Sequence, residues 1–80
     1  MYIVEDNRIV LKNNEEIVGH VFFKKEGNVV SIIQVYVDPK YRSLGYANKL
    51  MAYTVNYFKN KNMKLEMICS YAKKWIERGV

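Results

Sequence analysis

Val35-Tyr36-Val37-Asp38-Pro39-Lys40-Tyr41-Arg42-Ser43-Leu44-Gly45-Tyr46-Ala47 is the stretch on which the reading of this chain turns. Val35 and Val37 set β-branched side chains on one face of a strand, and Asp38-Pro39 stops it, because proline has no N–H to give and fixes φ. A helix is expected to follow at once. The spacing Arg42-x-x-Gly45-x-Ala47 keeps large side chains away from two of its first positions. The free N–H groups of a helix start, with the positive end of its dipole, form a receptor for phosphate oxygens. A pyrophosphate fits such a place.

Downstream the period changes. Leu44, Ala47, Leu50, Met51, Thr54, Val55 and Phe58 recur at three and four residues, which predicts an amphipathic helix ended by Asn60-Lys61-Asn62. Lys64-Leu65-Glu66-Met67-Ile68 alternates like a strand, and Ser70 is placed to cap a last helix from Tyr71 to about Arg78, before Gly79. Upstream, Arg8–Lys12 reads as a strand and Asn13-Asn14 as its turn. Glu16 to Lys25 is a second strand, and Glu26-Gly27-Asn28 turns the chain into Val29–Val37. Short links allow only antiparallel hairpins, whereas the helix between Val37 and Lys64 needs a right-handed crossover that lays the last strand parallel to Val29–Val37. The expected fold is α/β (α+β): a three-strand antiparallel meander, one β-α-β unit and a short C-terminal helix. Residues 1–80 form one domain in this reading.

Half of the residues are hydrophobic, 14% are aromatic and one is proline, a globular composition. No stretch approaches a membrane span, and Glu5 and Asp6 stand where a secretory signal needs basic residues, so a cytoplasmic protein without a membrane partner is expected. The single cysteine, Cys69, excludes an internal disulfide, and no Cys/His cluster offers a metal site. The net charge of +5 suits a polyanion. Lys59, Lys61, Lys64, Lys73, Lys74 and Arg78, with Lys40, Arg42 and Lys49 around the turn, gather that charge on the half carrying the phosphate receptor. Nucleic acid ranks last among its partners, because Tyr41, Tyr46, Tyr53 and Tyr57 spread over helix faces and match no RNA-binding signature.

The segment around Arg42, Gly45 and Ala47 resembles the acetyl-coenzyme A signature of the GNAT acetyltransferase superfamily: Gln or Arg, two residues, Gly, one residue, then Gly or Ala, after a strand and a Pro-containing turn. The resemblance implies a minimal GNAT-like fold lacking the helices that normally follow the first strand and help to form the acceptor groove. It implies acetyl-coenzyme A as co-substrate, its pyrophosphate on the N–H groups of Leu44 to Ala47 with Arg42 and Ser43 beside them. The edge of Val35, Tyr36 and Val37 would pair with the pantetheine amides, and Tyr46 completes the cofactor-binding set.

Cys69-Ser70-Tyr71-Ala72-Lys73-Lys74-Trp75 follows the last strand, at the same carboxyl end of the sheet as the turn. A thiol at a helix N-terminus is favoured as thiolate. The segment is similar to that of a branch of small single-domain GNAT-like proteins, in which a cysteine here is the proposed catalytic residue, followed by an aromatic that matches Tyr71. That resemblance implies Cys69 and Tyr71 as catalytic residues. Where the branch often has histidine this chain has Gln34, which cannot take a proton near neutral pH. The ordinary alternatives stand beside these: Cys69 as a small buried hydrophobe, Tyr71 as a cap on the sheet, His20 as a half-exposed strand residue, Trp75 and Ile76 as packing. The function expected is transfer of an acetyl group from acetyl-coenzyme A to an amine or other nucleophile, by a monomer or small homo-oligomer. The alternative is a non-catalytic coenzyme A-binding or protein-interaction module.

Overall fold

A computed structural model describes residues 1–78. The strands are β1 (Tyr2–Val4), β2 (Arg8–Asn13), β3 (Glu16–Glu26), β4 (Val29–Val37) and β5 (Lys64–Met67). The helices are α1 (Tyr46–Lys59) and α2 (Ser70–Glu77), with a 3-10 turn at Pro39–Tyr41. All five strands make one sheet in the order β1-β2-β3-β4-β5. Its pairs are antiparallel except β4 with β5, which are parallel as the crossover requires.

The mixed α/β class and the β4-α1-β5 unit agree with the sequence reading, and four details change. The meander has four strands, because Tyr2–Val4 pairs with Ile9–Leu11. Three residues are too few to show a period, so β1 is visible only through its partner. The long helix begins at Tyr46 and not directly after Pro39, since the chain first makes the 3-10 turn and then takes positive φ at Ser43 and Gly45. β5 ends at Met67, one residue early. Cys69, not Ser70, stands at the N-cap of α2. Gly79, expected to end that helix, lies outside the described residues. Among the described residues no helix is long and apolar enough to cross a membrane.

Both helices pack on one face of the sheet. Leu50, Met51, Thr54, Val55 and Phe58 of α1 are buried there, together with Ala72 and Trp75 of α2. They meet Ile9, Leu11, Val21, Phe23, Val30 and Ile32. Burying each large side chain contributes roughly 1.5–3 kcal/mol, which holds the helices against the sheet. Gly19 sets how closely they approach: a Cβ there would lie 2.3 Å from the Tyr36 carbonyl oxygen and 3.1 Å from Leu50 Cδ1. The strand pairing puts Ile3, Arg8, Val10, His20, Phe22, Gln34 and Tyr36 on the opposite face. His20 packs there between Phe22 and Tyr36, with ring centroids 4.4 and 5.2 Å away. Val10, only 2% exposed, is buried on this face too.

Candidate active site

The site begins with a misfit in the sheet. Phe22 pairs with Gln34 but Phe23 with Ile32, so Ile33 is one residue too many and makes a β-bulge. β4 and β5 stay paired from Val29↔Lys64 to Ile32↔Met67 and no further. At the end of that pairing Ile32 O accepts from two amides, Ile68 N at 2.9 Å and Cys69 N at 3.1 Å. Beyond it β5 gives way to α2 while β4 runs on with that edge unpaired, and the two segments part in a fork.

The bulge decides which backbone groups face the fork. Asp38 N donates to Val18 O at 2.8 Å, so the Asp38 amide points at β3. Alternation then turns Tyr36 and Gln34 toward β3, and Val35 and Val37 toward the gap that β5 has left. Arg42 Nε donates to Val37 O at 2.9 Å on that freed edge. The side chains of Val35 and Val37 pack against the core under the helices, whereas Tyr36 lies on the opposite face.

At its far end the freed edge meets the turn. Asp38 caps the 3-10 turn by accepting from Lys40 N at 3.0 Å, with Pro39 inside its first residues. Glu16, at the start of β3, holds the turn from the side: Lys40 Nζ donates to it at 2.7 Å and the Tyr41 hydroxyl also donates to it. The hydrogen bond from Lys40, then that from Tyr41, keeps the Glu16 carboxyl below its ordinary pKa; the same pairing raises Lys40 and Tyr41. These groups are exposed, so the mooring is screened by salt.

Past Arg42 the backbone has φ of 64° at Ser43 and 85° at Gly45, the N-cap of α1. The first backbone bond into the helix is Lys49 N to Gly45 O, 3.2 Å. Among the described residues, the N–H groups of Tyr46, Ala47 and Asn48 therefore have no backbone acceptor, as at any helix start. No side chain caps them and no acidic residue sits in the first turn to neutralise the dipole. Ser43 and Gly45 have positive φ on either side of Leu44, and alternation of this kind turns successive N–H groups toward one side. Leu44 is 62% exposed, Tyr46 packs edge-on against Tyr41, and Ala47 adds no bulk.

Cys69 and Tyr71 stand at the other end of the fork. Both are half-buried and pack against the core, with the Cys69 amide tied to Ile32 O. Gln34 is exposed on the face away from the helices. His20 is on that face as well, held below its ordinary pKa by burial and then by the charge of Arg8. Cys69, by contrast, packs against the core on the helix side of the sheet.

Three features escaped the sequence reading. Glu16 reaches across 24 residues to Lys40. Ile33 looks like any strand residue. Asn48 accepts a hydrogen bond from Trp75 Nε1 at 2.6 Å, joining α1 to α2 across 27 residues. The charge of Glu16 and the amide of Asn48 are visible as residue types, but only the docked elements pair them.

Comparison with known proteins gives a consistent outcome. The model of the GCN5-related N-acetyl-transferase family matches residues 8–79. The NMR structure of a GCN5-like protein from Staphylococcus aureus superposes with a TM-score of 0.78 at 20% identity, over 99% of this chain and 79% of that one. A structure from Pyrococcus furiosus, assigned as an acetyl transferase, has a TM-score of 0.65 at 21% identity, over 91% of this chain and 57% of that one. A Bacillus anthracis protein assigned as a streptothricin acetyltransferase was solved with acetyl coenzyme A. It gives a TM-score of 0.64 at 31% identity, over 96% of this chain and 48% of that one. The chain thus spans about half the length of the latter two. No curated protein matches it.

Proposed function

Because this chain belongs to the GCN5-related N-acetyl-transferase family, we propose that it transfers the acetyl group of acetyl-coenzyme A to an amine by way of the β4–β5 fork. The observation that carries this reading is the freed edge of β4. It runs from Ile32, where the Cys69 amide closes the pairing, to the turn whose N–H groups at Tyr46, Ala47 and Asn48 lack acceptors. One continuous track joins a thiol to a phosphate receptor. The Bacillus anthracis relative bound to acetyl coenzyme A supports the choice of acyl carrier.

In this reading the pyrophosphate sits on the N–H groups from Ser43 to Asn48, where backbone dipoles replace water around the charge. The pantetheine amides pair with Val35 and with the Val37 N–H, since Arg42 already occupies the Val37 carbonyl. The acetyl thioester then lies toward Ile32 and Cys69. Two routes complete the transfer. In the direct one a neutral amine attacks the carbonyl carbon, a C–N bond forms, the C–S bond breaks and coenzyme A leaves as thiolate to take the proton the amine gives up. In the covalent one the Cys69 thiol gives up its proton and forms a C–S bond to the carbonyl carbon while the bond to coenzyme A breaks, and coenzyme A leaves as the thiol with that proton. The amine then forms a C–N bond, the Cys69–acetyl bond breaks and the Cys69 sulfur takes the amine's proton. In the same reading Tyr71, two residues beyond Cys69, would donate from its hydroxyl to the departing sulfur. The lone cysteine suits the reducing cytoplasm.

Isothermal titration with acetyl-coenzyme A tests the binding half. Wild type should bind and Gly45→Glu should not. A Cβ at Gly45 meets nothing within 4 Å, so the substitution acts through φ and through a negative charge set against the phosphates. Undiminished affinity in Gly45→Glu moves the site elsewhere. Mass spectrometry after incubation with acetyl-coenzyme A tests the covalent route: an acetyl adduct on wild type that Cys69→Ala lacks assigns the nucleophile. Full transfer activity in Cys69→Ala leaves the direct route. Binding without transfer to any amine makes the domain a coenzyme A-binding module.

A further inference from the structure

We propose that Asn48 contacts the phosphates of the acyl carrier through its side-chain amide, that Trp75 positions it, and that Arg42 serves instead as a brace for the turn. This rests on the pyrophosphate reading above and assigns the side chains it leaves open.

Asn48 is the third residue of α1, in the turn whose N–H groups lack acceptors. Side chains on a helix lean toward its N-terminus, which sets the Asn48 amide on the first-turn side of its own position. Its orientation is fixed from outside. Trp75 Nε1 can only donate, and its 2.6 Å bond ends on Asn48 Oδ1, which makes the remaining end of the amide the donor end. Among the described residues Nδ2 has no hydrogen-bond partner, and Asn48 is exposed. Two N–H donors are thus held beside a positive helix end by an indole on a different helix. Trp75 itself is 3% exposed and packed in the core, so the point of attachment is firm.

Arg42 is arranged in the opposite sense. Its Nε is committed to Val37 O at 2.9 Å, and its guanidinium lies 5.8 Å from the centroid of Tyr36, on the face away from the helices. Tyr36 in turn stacks on His20 at 5.2 Å. The side chain runs back along β4 and fastens the start of the turn to the strand end. Its charge therefore contributes little to holding phosphate, and its hydrogen bond and stacking contribute to the shape of the turn.

The experiment measures the dissociation constant of acetyl-coenzyme A for wild type, Asn48→Asp, Trp75→Phe, the double variant and Arg42→Gln, with thermal midpoints alongside. Asn48→Asp keeps an oxygen for Trp75 while it removes the donor and adds a negative charge. It should weaken binding on the order of 10- to 100-fold with the unfolding midpoint nearly unmoved. Trp75→Phe keeps the packing and releases the amide. It should weaken binding less than about 10-fold in the wild-type background and not at all in the Asn48→Asp background, because Trp75 acts only through Asn48. A purely structural tryptophan would weaken both alike. Arg42→Gln should bind within about threefold of wild type, since a neutral donor still reaches Val37 O. The proposal is overturned if Asn48→Asp binds as wild type does, or if Arg42→Gln loses as much as Asn48→Asp. Should wild type itself not bind acetyl-coenzyme A, the functional reading fails together with this one.

Discussion

The two halves of β4 have much the same apolar, β-branched composition and quite different fates. Val29–Ile32 lies between β3 and β5, paired on both sides, with Val30 and Ile32 fully buried. Gln34–Val37 is paired with β3 alone, and Val35, Tyr36 and Val37 are only half-buried. Residue type does not separate them. One extra residue at Ile33 and the point where β5 gives way to α2 do, so an open edge arises where an ordinary strand is left with one neighbour. Unpaired strand edges are hazardous in general because they recruit other chains. Here the edge is roofed by the helices and its last carbonyl is taken by Arg42.

The comparison can be broken at its closest point. Gly19→Val would press a branched side chain onto the Tyr36 carbonyl, a backbone atom that cannot yield without opening β3 from the half of β4 that has no other neighbour. A loss of more than about 4 kcal/mol is expected in urea denaturation. A cost below about 1 kcal/mol would mean that the two strands can spread freely there.

Deletion of side-chain volume sharpens the contrast between the halves. Ile32→Ala removes a fully buried side chain from the doubly paired half and should cost about 3 kcal/mol. Val35→Ala, in the forked half, should cost about 1 kcal/mol and weaken acetyl-coenzyme A binding in addition. Equal costs in unfolding measurements would show that the fork is as tightly packed as the rest of the strand.

The smallest effect concerns the mooring of the turn at the end of the freed edge. Glu16 titrates below its ordinary range when folded, because Lys40 and Tyr41 donate to its charged form. Its contribution is therefore present above the unfolded pKa and is lost as the pH falls through the lowered folded value. Glu16→Gln should flatten this acid limb in thermal-unfolding profiles. High salt should shrink the difference, as for any exposed pair. An acid limb unchanged by the substitution would assign it to other carboxyls.

The strands from Arg8 to Val37 were legible because apolar alternation and turn residues agree there, and the crossover followed from a helix standing between two strands. β1 was not, since Tyr2–Val4 is too short to carry a period. Gly45 marks the helix start, but nothing in the sequence marks the 3-10 turn or the φ of 64° at Ser43, which delay the helix from Pro39 to Tyr46. The parallel pairing of β5 with β4 follows from topology, and the small residues at the start of α1 stand openly in the sequence. The bulge that aims the backbone at the fork was hidden, because Ile33 is apolar like its neighbours and nothing at that position marks an extra residue. The motif presents Arg42 as a phosphate ligand, and whether it binds phosphate or braces the turn depends on the nearby Val37 and Tyr36, which the motif does not include. The bond between Trp75 and Asn48 depends on how two helices dock, and neither residue names the other.

The mooring of the turn on Glu16 has a practical corollary for anyone who would attach something to this domain. The β2–β3 hairpin closes through Asn14 and Glu15, immediately before the carboxylate that holds Lys40 and Tyr41. A linker spliced there would drag on the Pro39–Tyr41 turn. Gly27 and Asn28 close the β3–β4 hairpin at the other end of the long strands, and a Cβ at Gly27 would meet nothing within 4 Å. A fluorophore or affinity handle belongs on the exposed Asn28 and not on Gly27, whose φ of 56° disfavours any side chain, and there it can report on the domain without touching the turn.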